Sequence, residues 1–512
     1  MPPSTAAPAV LARRPLMTLG AFAAAAAAAI GAAKPAEALA APAPARPNVV
    51  VVMTDDQDFH SMSALPNVRR ILGKGGTEFT TSVVNYPLCA PSRSTFLTGE
   101  YEHNHHIGWN NPPEGGYELF DGRETMPVWM QRAGYRTIHI GKYLNDYGLA
   151  NPTEVPKGWT DWHGTIDPTT YHYFGTTFND NGKLHTAAGY SVDVVADKAK
   201  QAISTAARKR QPFFLSLAPI APHTRAETAR AEGTPAVPAP RYANVFADAP
   251  LPRYPNFDEA DLSDKPTSLQ SFFPDPMTAQ QIADLTEHYR GRMGSLLAVN
   301  DLVGGVVKQL KKTGQDKNTV IVFTSDNGWI LGEHRLRDPI SETGMASGAK
   351  YVPYESSSRV PLYMAGPGVP KGRKIPGVVT NADVPATILD LANARPTRPL
   401  DGISLLPALR KPSVLDGRGV LMETAKNPRQ VPTYISVRTQ RYRYDRQEDG
   451  QEGLYDLKVD PWELTSFHND PRYAAIKAIL KPAAIKLSTC RGKTCRLDLK
   501  LPEPGTAVAA RG

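Results

Sequence analysis

Residues 48–58 read NVVVVMTDDQD, and this stretch decides the fold. Its four valines in a row leave no alternation between a dry and a wet face. Asn48 to Met53 therefore predicts a strand buried on both sides, the situation of a parallel sheet. Similar apolar runs follow: YRTIHIG from Tyr135 to Gly141, PFFLSLA from Pro212 to Ala218, TVIVFTS from Thr319 to Ser325 and VPLYMAG from Val360 to Gly366. Between them lie helix-like stretches, Ser191 to Arg208 and Gln280 to Leu310, the second running into lysines and Gly314 as helix ends do. Strands alternating with helices define an α/β domain with a large, mostly parallel sheet flanked by helices on both faces.

In such a sheet, ligands bind beyond the carboxyl ends of the strands. The polar residues at those ends are Asp55 and Asp56, Lys142, His223, and Asp326 with Asn327. Any one Asp or Asn there could simply make a turn or cap the next helix. Three carboxylates and an amide from two separate strands form an all-oxygen set, which suits a hard cation, Ca2+ ahead of Mg2+. A lone histidine after a strand, such as His223, is more often structural, and only its surroundings can raise it to a functional residue.

The 512-residue chain holds 41% apolar and 21% charged residues, the proportions of a globular enzyme, and its net charge of +8 favours anionic partners. No basic run exceeds Arg208-Lys209-Arg210 and no zinc-finger or helix-turn-helix pattern occurs. The charge therefore reads as a generally basic surface, and no nucleic-acid partner is expected. Residues 1–40 read as a twin-arginine signal peptide, with Arg13-Arg14, an alanine-dominated run from Ala21 to Ala33 and a small-residue cleavage site ending at Ala40. Alanine partitions poorly into lipid and the run is short for a span, so an exported protein without stable membrane insertion is expected. In an oxidising compartment Cys490 and Cys495 are expected to form a disulfide, with two free thiols as the other reading.

Residues 41–385 read as the main domain, within which 224–278, rich in proline, is a functional loop or lid on its surface. From about Asp383 the texture changes. A helix-like VPATILDLAN, strand-like TYISVRTQRYRYDR and EGLYDLKVD, and a closing helix from Tyr473 to Ile485 predict a smaller α+β subdomain with an antiparallel sheet over 386–512.

Cys89 lies in LCAPSRSTFLTG, residues 88–99, beside a Pro-Ser-Arg turn and without a partner cysteine. It could be a core filler, a nucleophile or the precursor of another group. C-A-P-S-R followed by STFLTG resembles the signature of the type I sulfatases of the alkaline-phosphatase-like superfamily, in which C-x-P-S-R directs conversion of the cysteine to Cα-formylglycine. The similarity continues through VVVVMTDDQD, GKYLNDY, APIAPH, FTSDNGW, GEHR, Lys350 before a YE-RVPL segment, and LYDLKVDPWEL. TDDQD, LTGEYEHNH and GKYLNDY look most like the branch of N-acetylglucosamine-6-sulfatase and the extracellular heparan sulfatases.

The resemblance implies an exported sulfuric ester hydrolase acting on a sulfated sugar or aryl sulfate, and a formylglycine-generating enzyme as maturation partner. It implies that Asp55, Asp56, Asp326, Asn327 and modified Cys89 hold one Ca2+, that Arg93 orients the aldehyde hydrate, and that Lys142 and Lys350 neutralise the sulfuryl group. It further implies that His223 binds sulfate and protonates the leaving oxygen. A hydrated aldehyde carries two hydroxyls on one carbon: one can take the sulfuryl group and the other can expel it. Where many relatives place a histidine two residues after the strand-end lysine, this chain has Leu144, as the glucosamine-6-sulfatase branch also does, so the eliminating base is unassigned. A phosphomonoester or phosphonate ester hydrolase, and an inactive sulfated-glycan-binding relative, are the competing readings. His103, His105 and His106 do not fall on one helix face as zinc ligands would and are expected at the substrate rim. Asn300 and Asp301, inside an apolar helix, are expected to cap or bridge within the core.

Overall fold

The valine run forms β1, Asn48–Thr54, in which every residue is buried. Its position explains this: β1 pairs in parallel with β7, Phe213–Ala218, on one side and with β8, Thr319–Ser325, on the other. Successive side chains point to opposite faces, so Val50 and Val52 enter one core while Val49 and Val51 enter a second. Each fully buried valine contributes roughly 1.5–3 kcal/mol, and here the contribution is split between two layers. In the computed structural model, residues 46–209, 211–226, 233–272, 275–337, 346, 348–426 and 433–505 are described. The expected signal peptide lies outside them. Among them, no helix is long and apolar enough to cross a membrane.

Beyond β7 follow β3, Arg136–Gly141, and β4, Asp161–Thr165, both parallel, and then an antiparallel hairpin of β5, Thr177–Asp180, and β6, Lys183–Thr186. Beyond β8 lie β9, Tyr363–Ala365, β2, Thr77–Val83, and the edge strand β10, Arg373–Thr380, whose register shifts between Ile375 and Val378. Among the described residues the sheet has ten strands and is mixed: parallel from β8 to β4 and between β2 and β10, antiparallel at β9 and in the β5–β6 hairpin. The VPLYMAG run does form a strand, but β9 runs antiparallel to both β8 and β2. A parallel return needs a crossover element of a dozen or more residues. Among the described residues between Asp326 and Val360 there is only the short helix Glu355–Ser358, so the chain re-enters from the end it left.

The helix Ala279–Lys312 starts from a Thr278–Gln281 capping box and ends in Lys311 and Lys312, which complement its dipole. Its Leu296, Val299 and Val303 pack with Val195 and Ile203 of the helix Ser191–Ala207 against Val50 and Leu215. Asn300 bridges to the backbone of Asn67, while Asp301 accepts from Arg241 and Tyr242. Arg241 belongs to the proline-rich segment and also pairs with Asp193, so this part of the segment is fastened to both helices.

On the opposite face Phe96 and Leu97 of the helix Cys89–Thr98, Trp129, and Ile388 and Leu389 of the helix Asp383–Ala392 cover Val49 and Val51. The same core continues through Leu405, Leu409 and Leu415, past the change of texture near Asp383. A second, antiparallel sheet then runs in the order β14, Glu452–Asp456, β13, Tyr442–Gln447, β12, Tyr434–Arg438, β11, Arg418–Glu423, and β15, Leu497–Asp498. Ile476, Leu480 and Leu487 of the helix Ala474–Leu487 pack on Leu421, Val437 and Leu454 of this sheet. Cys490 and Cys495 are joined by a disulfide in the same cluster.

Candidate active site

The ends of four strands meet one helix start. Asp55 and Asp56 follow β1. Adjacent strand residues would face opposite sides, but Asp56 takes a left-handed conformation, φ 63°, and both carboxylates reach one pocket. Lys142 follows β3 through Gly141, whose φ is 111°; a Cβ there would lie 2.1 Å from the Ala218 carbonyl oxygen, so only glycine fits. His223 comes after β7, and Asp326 with Asn327 after β8. Cys89 opens the helix Cys89–Thr98, the end at which a helix favours negative charge.

Cys89 is fully buried, with Sγ 3.7 Å from Asp55 Oδ1, 3.8 Å from Asp56 Oδ1 and 3.2 Å from Lys350 Nζ. Lys350 Nζ also donates to both Asp56 oxygens, at 2.9 and 3.1 Å, while Lys142 Nζ lies 2.6 Å from Asp55 Oδ2. Arg93 donates from Nε to Asp326 Oδ2 at 2.7 Å and from Nη1 to the Lys142 carbonyl at 3.0 Å. Asp326 Oδ1 accepts from the backbone of Asp56 at 3.0 Å and of Asn327 at 2.8 Å. Asn327 Nδ2 donates to Asp56 Oδ1 at 2.6 Å, and His223 Nε2 stands 3.5 Å from Asp56 Oδ2. All the residues expected in the site therefore converge, Lys350 included.

Burial alone would raise the Asp55 carboxyl, but Lys142, His223 and Arg93 outweigh it and hold it below its ordinary value. Asp56 follows the same pattern through Lys350 and His223. Lys142 and Arg93 are held above their ordinary values: desolvation opposes this, and Asp55 for the lysine and Asp326 for the arginine overcome it. Burial pushes the Cys89 thiol well up, against the pull of Lys142 and Lys350. Asp55 and Asp56 thus stay ionised in their buried setting, each paired with a lysine.

Donor atoms of Asp55, Asp56, Cys89 and His223 lie within 4.8 Å of one another. Asp326 and Asn327 join this cluster through Asp56, and Asn327 Oδ1 is buried with no hydrogen-bond partner. An orphaned amide oxygen beside ionised carboxylates fits a hard cation.

Three further residues shape the site. Asn110 Oδ1 accepts from Ala90 N at 3.0 Å, satisfying the helix start next to Cys89. The Tyr171 ring lies 5.0 Å from Lys142 Nζ and 4.9 Å from the His223 ring. Arg292, 1% exposed, donates to the Asp56 carbonyl and, at 3.3 Å, to the Pro222 carbonyl, tying two strand-end loops together. A charged residue on the buried face of the Gln280 to Leu310 periodicity was the one signal available for it. Asn110 sits in an irregular segment and Tyr171 in a single three-residue turn of helix, and neither carried one.

Leu144 is 1% exposed and packs in the apolar core, so its position supplies no base. The three histidines make structural contacts. His105 Nε2 meets Thr95 Oγ1 at 3.1 Å, and His106 is the left-handed cap of a short helix. His103 sets Nδ1 2.9 Å from both Glu423 oxygens and Nε2 2.7 Å from the Cys490 carbonyl. Desolvation alone would lower this imidazole, but Glu423 raises it to about 9. Because the folded value exceeds the ordinary 6.5, the stabilisation is complete below about pH 6.5 and is lost as pH rises through 9. His103→Gln is expected to flatten the fall of the melting temperature across that window; an unchanged slope would remove His103 as its source.

The profile of the sulfatase family matches residues 47–394, and that of the C-terminal part of N-sulphoglucosamine sulphohydrolase matches residues 348–489. The arylsulfatase of Volvox carteri is 33% identical over 92% of this chain and 78% of its own. N-acetylglucosamine-6-sulfatase of Homo sapiens is 32% identical over 88% of this chain and 86% of its own. A solved structure of a protein in complex with its substrate D-glucosamine-2-N,6-O-disulfate superimposes with a TM-score of 0.70 at 24% identity, covering 86% of this chain and 97% of that one. The phosphonate monoester hydrolase of Agrobacterium radiobacter superimposes with a TM-score of 0.64 at 21% identity, covering 86% and 95%. At these identities the two structural likenesses establish the fold alone.

Proposed function

Since this chain belongs to the sulfatase family, whose profile spans residues 47–394, we propose that it is exported by the twin-arginine route and releases sulfate from a sulfated sugar or aryl sulfate. The nucleophile in this reading is formylglycine made from Cys89 by a formylglycine-generating enzyme, and the cation is one Ca2+. The observation that carries the reading is the placement of Cys89 Sγ within 3.8 Å of two carboxylates and 3.2 Å from Lys350, at the start of a buried helix.

Asp55, Asp56, Asp326, Asn327 and residue 89 would hold the cation. When bound, it would draw charge from a sulfate oxygen and ease ionisation of a hydroxyl at residue 89. The chain's own groups do the rest. Arg93, locked by Asp326 and the Lys142 carbonyl, fixes the helix start against the carboxylates. Lys142 and Lys350, held by Asp55 and Asp56, offset negative charge on the transferring sulfuryl group. His223 Nδ1 donates to the Thr224 carbonyl at 2.7 Å, so Nε2 can protonate a leaving oxygen only when the ring carries both protons.

The phosphonate hydrolase reading shares the fold, and sulfate and phosphate call for similar cations and donors. A release screen separates the two, using protein made in a host able to modify Cys89 and comparing sulfated amino sugars, other sulfated polysaccharides, aryl sulfates and their phosphate and phosphonate counterparts. Sulfate release at least tenfold faster than phosphate release is expected. Faster turnover of the phosphorus esters would overturn the assignment.

A further inference from the structure

Lys350 carries its charge on a loop, not on a strand end, so something else must hold it. On either side of it, Ala349 exchanges backbone hydrogen bonds with Ile330, and Tyr351 N donates to the Pro87 carbonyl at 3.1 Å. Downstream, four residues on, the chain reaches Tyr354 and a short helix, Glu355–Ser358, whose Ser357 carbonyl accepts from Gly328 N at 2.8 Å, next to Asn327. Beyond it, Ser358 and Val360 bond to the backbone of Val84 and Ser82, while the Tyr354 ring rests on a buried residue of the second sheet.

Arg443, on β13, is fully buried. Its guanidinium carbon lies 4.3 Å from the centroid of the Tyr354 ring and 4.3 Å from that of the Tyr455 ring. Its Nη1 is 3.0 Å from Glu463 Oε1 and its Nη2 is 3.1 Å from Asp445 Oδ2, ion pairs without hydrogen-bond alignment. Glu463 Oε2 in turn accepts from the backbone N–H of Glu355 at 2.9 Å, satisfying a donor at the start of the short helix. Arg438 Nε holds the Glu355 carboxylate at 3.0 Å, and the other side of Tyr354 meets the His334 ring at 4.2 Å. His334 Nδ1 is 2.5 Å from Glu259 of the proline-rich segment.

A buried guanidinium is costly unless it is paired on all sides, and this one is paired with two rings and two carboxylates. Removing it frees the Tyr354 face and leaves Glu463 and Asp445 uncompensated. Arg438 of β12 and Tyr455 of β14, whose hydroxyl lies 3.4 Å from that of Tyr354, also reach this segment, but Arg443 joins the Tyr354 ring and the Glu463 link in one side chain. We propose that Arg443 is a positioning residue for the reaction: through Tyr354 and the Glu463–Glu355 link it sets the place of Lys350 over Asp56. The second sheet thereby contributes to turnover without touching substrate. The inference rests on the role given above to Lys350.

The test is a double-mutant cycle on an activated aryl sulfate under single-turnover conditions, with Arg443→Met and Lys350→Met separate and combined. Arg443→Met is expected to keep its bound Ca2+ and its cooperative melting, and to lose roughly 10- to 100-fold in rate with KM little changed. In the Lys350→Met background the same change is expected to cost less than about threefold, because the residue it acts through is gone. Full multiplication of the two effects, or an Arg443→Met rate within about twofold of wild type, would overturn the inference. Where Arg443→Met does not fold, Glu463→Gln takes its place in the cycle. It keeps an acceptor for Glu355 N and loses the ion pair. A wild-type protein that releases no sulfate at all would instead refute the sulfatase reading, which separates the two failures.

Discussion

Cys89→Ser is expected to accept one sulfuryl group and stop. In the wild type a hydrated aldehyde at residue 89 would offer two hydroxyls, one to be sulfated and one to drive elimination. Serine offers only the first. The surroundings that favour the first step remain, since the hydroxyl would sit at the same helix start beside Asp55 and Asp56, with Lys350 close by. Hydrolysis of a simple alkyl sulfate is slow, so the covalent sulfate should persist and steady turnover should vanish. Intact-mass and peptide measurements should find one sulfuryl group per chain on residue 89. The wild-type peptide should carry an aldehyde and resist thiol alkylation. Repeated turnover by the serine variant, or inactivation of the wild type by alkylation of Cys89, would discard the aldehyde mechanism.

Asp326→Ala should lose bound Ca2+ and turnover together, the latter by on the order of 10³-fold. The carboxylate does three things at once. Its Oδ1 receives the Asp56 and Asn327 backbone, its Oδ2 receives Arg93, and its charge is part of what would hold the cation. Asp326→Asn separates these roles, because an amide oxygen still accepts from Asp56 N while the charge is gone. Both variants are expected to lose the metal by elemental analysis, and the asparagine variant to keep more thermal stability. Stoichiometric Ca2+ with unchanged kinetics in either would take Asp326 out of the site.

The central strands were legible because burial on both faces leaves an unmistakable trace: VVVV and TVIVFTS have no wet side to spare. The strand-end polar residues followed from the topology of such sheets. Lys350 could not be found this way, since it sits on a connection with no periodicity, and only the likeness of the segment around it pointed there. The direction of β9 was equally hidden. A three-residue strand looks the same read from either end, and the missing crossover helix shows only in the folded chain. The bracketing of His103 was not legible in the sequence, because Glu423 and the Cys490 carbonyl lie more than 300 positions away.

The two margins of the large sheet bear on behaviour at high concentration. An unpaired strand edge is a template for addition of another chain. On β6 every residue is exposed and Lys183 and His185 interrupt any apolar row, so a second copy would have to bury charge to pair there. On β10, Pro376 lacks an N–H to offer and the register shift beside it breaks the ladder. Further along the same strand, Arg418 occupies the Val378 carbonyl and Val420 and Met422 of the second sheet lie against Val378. Growth of the large sheet by edge pairing is thus disfavoured at both margins.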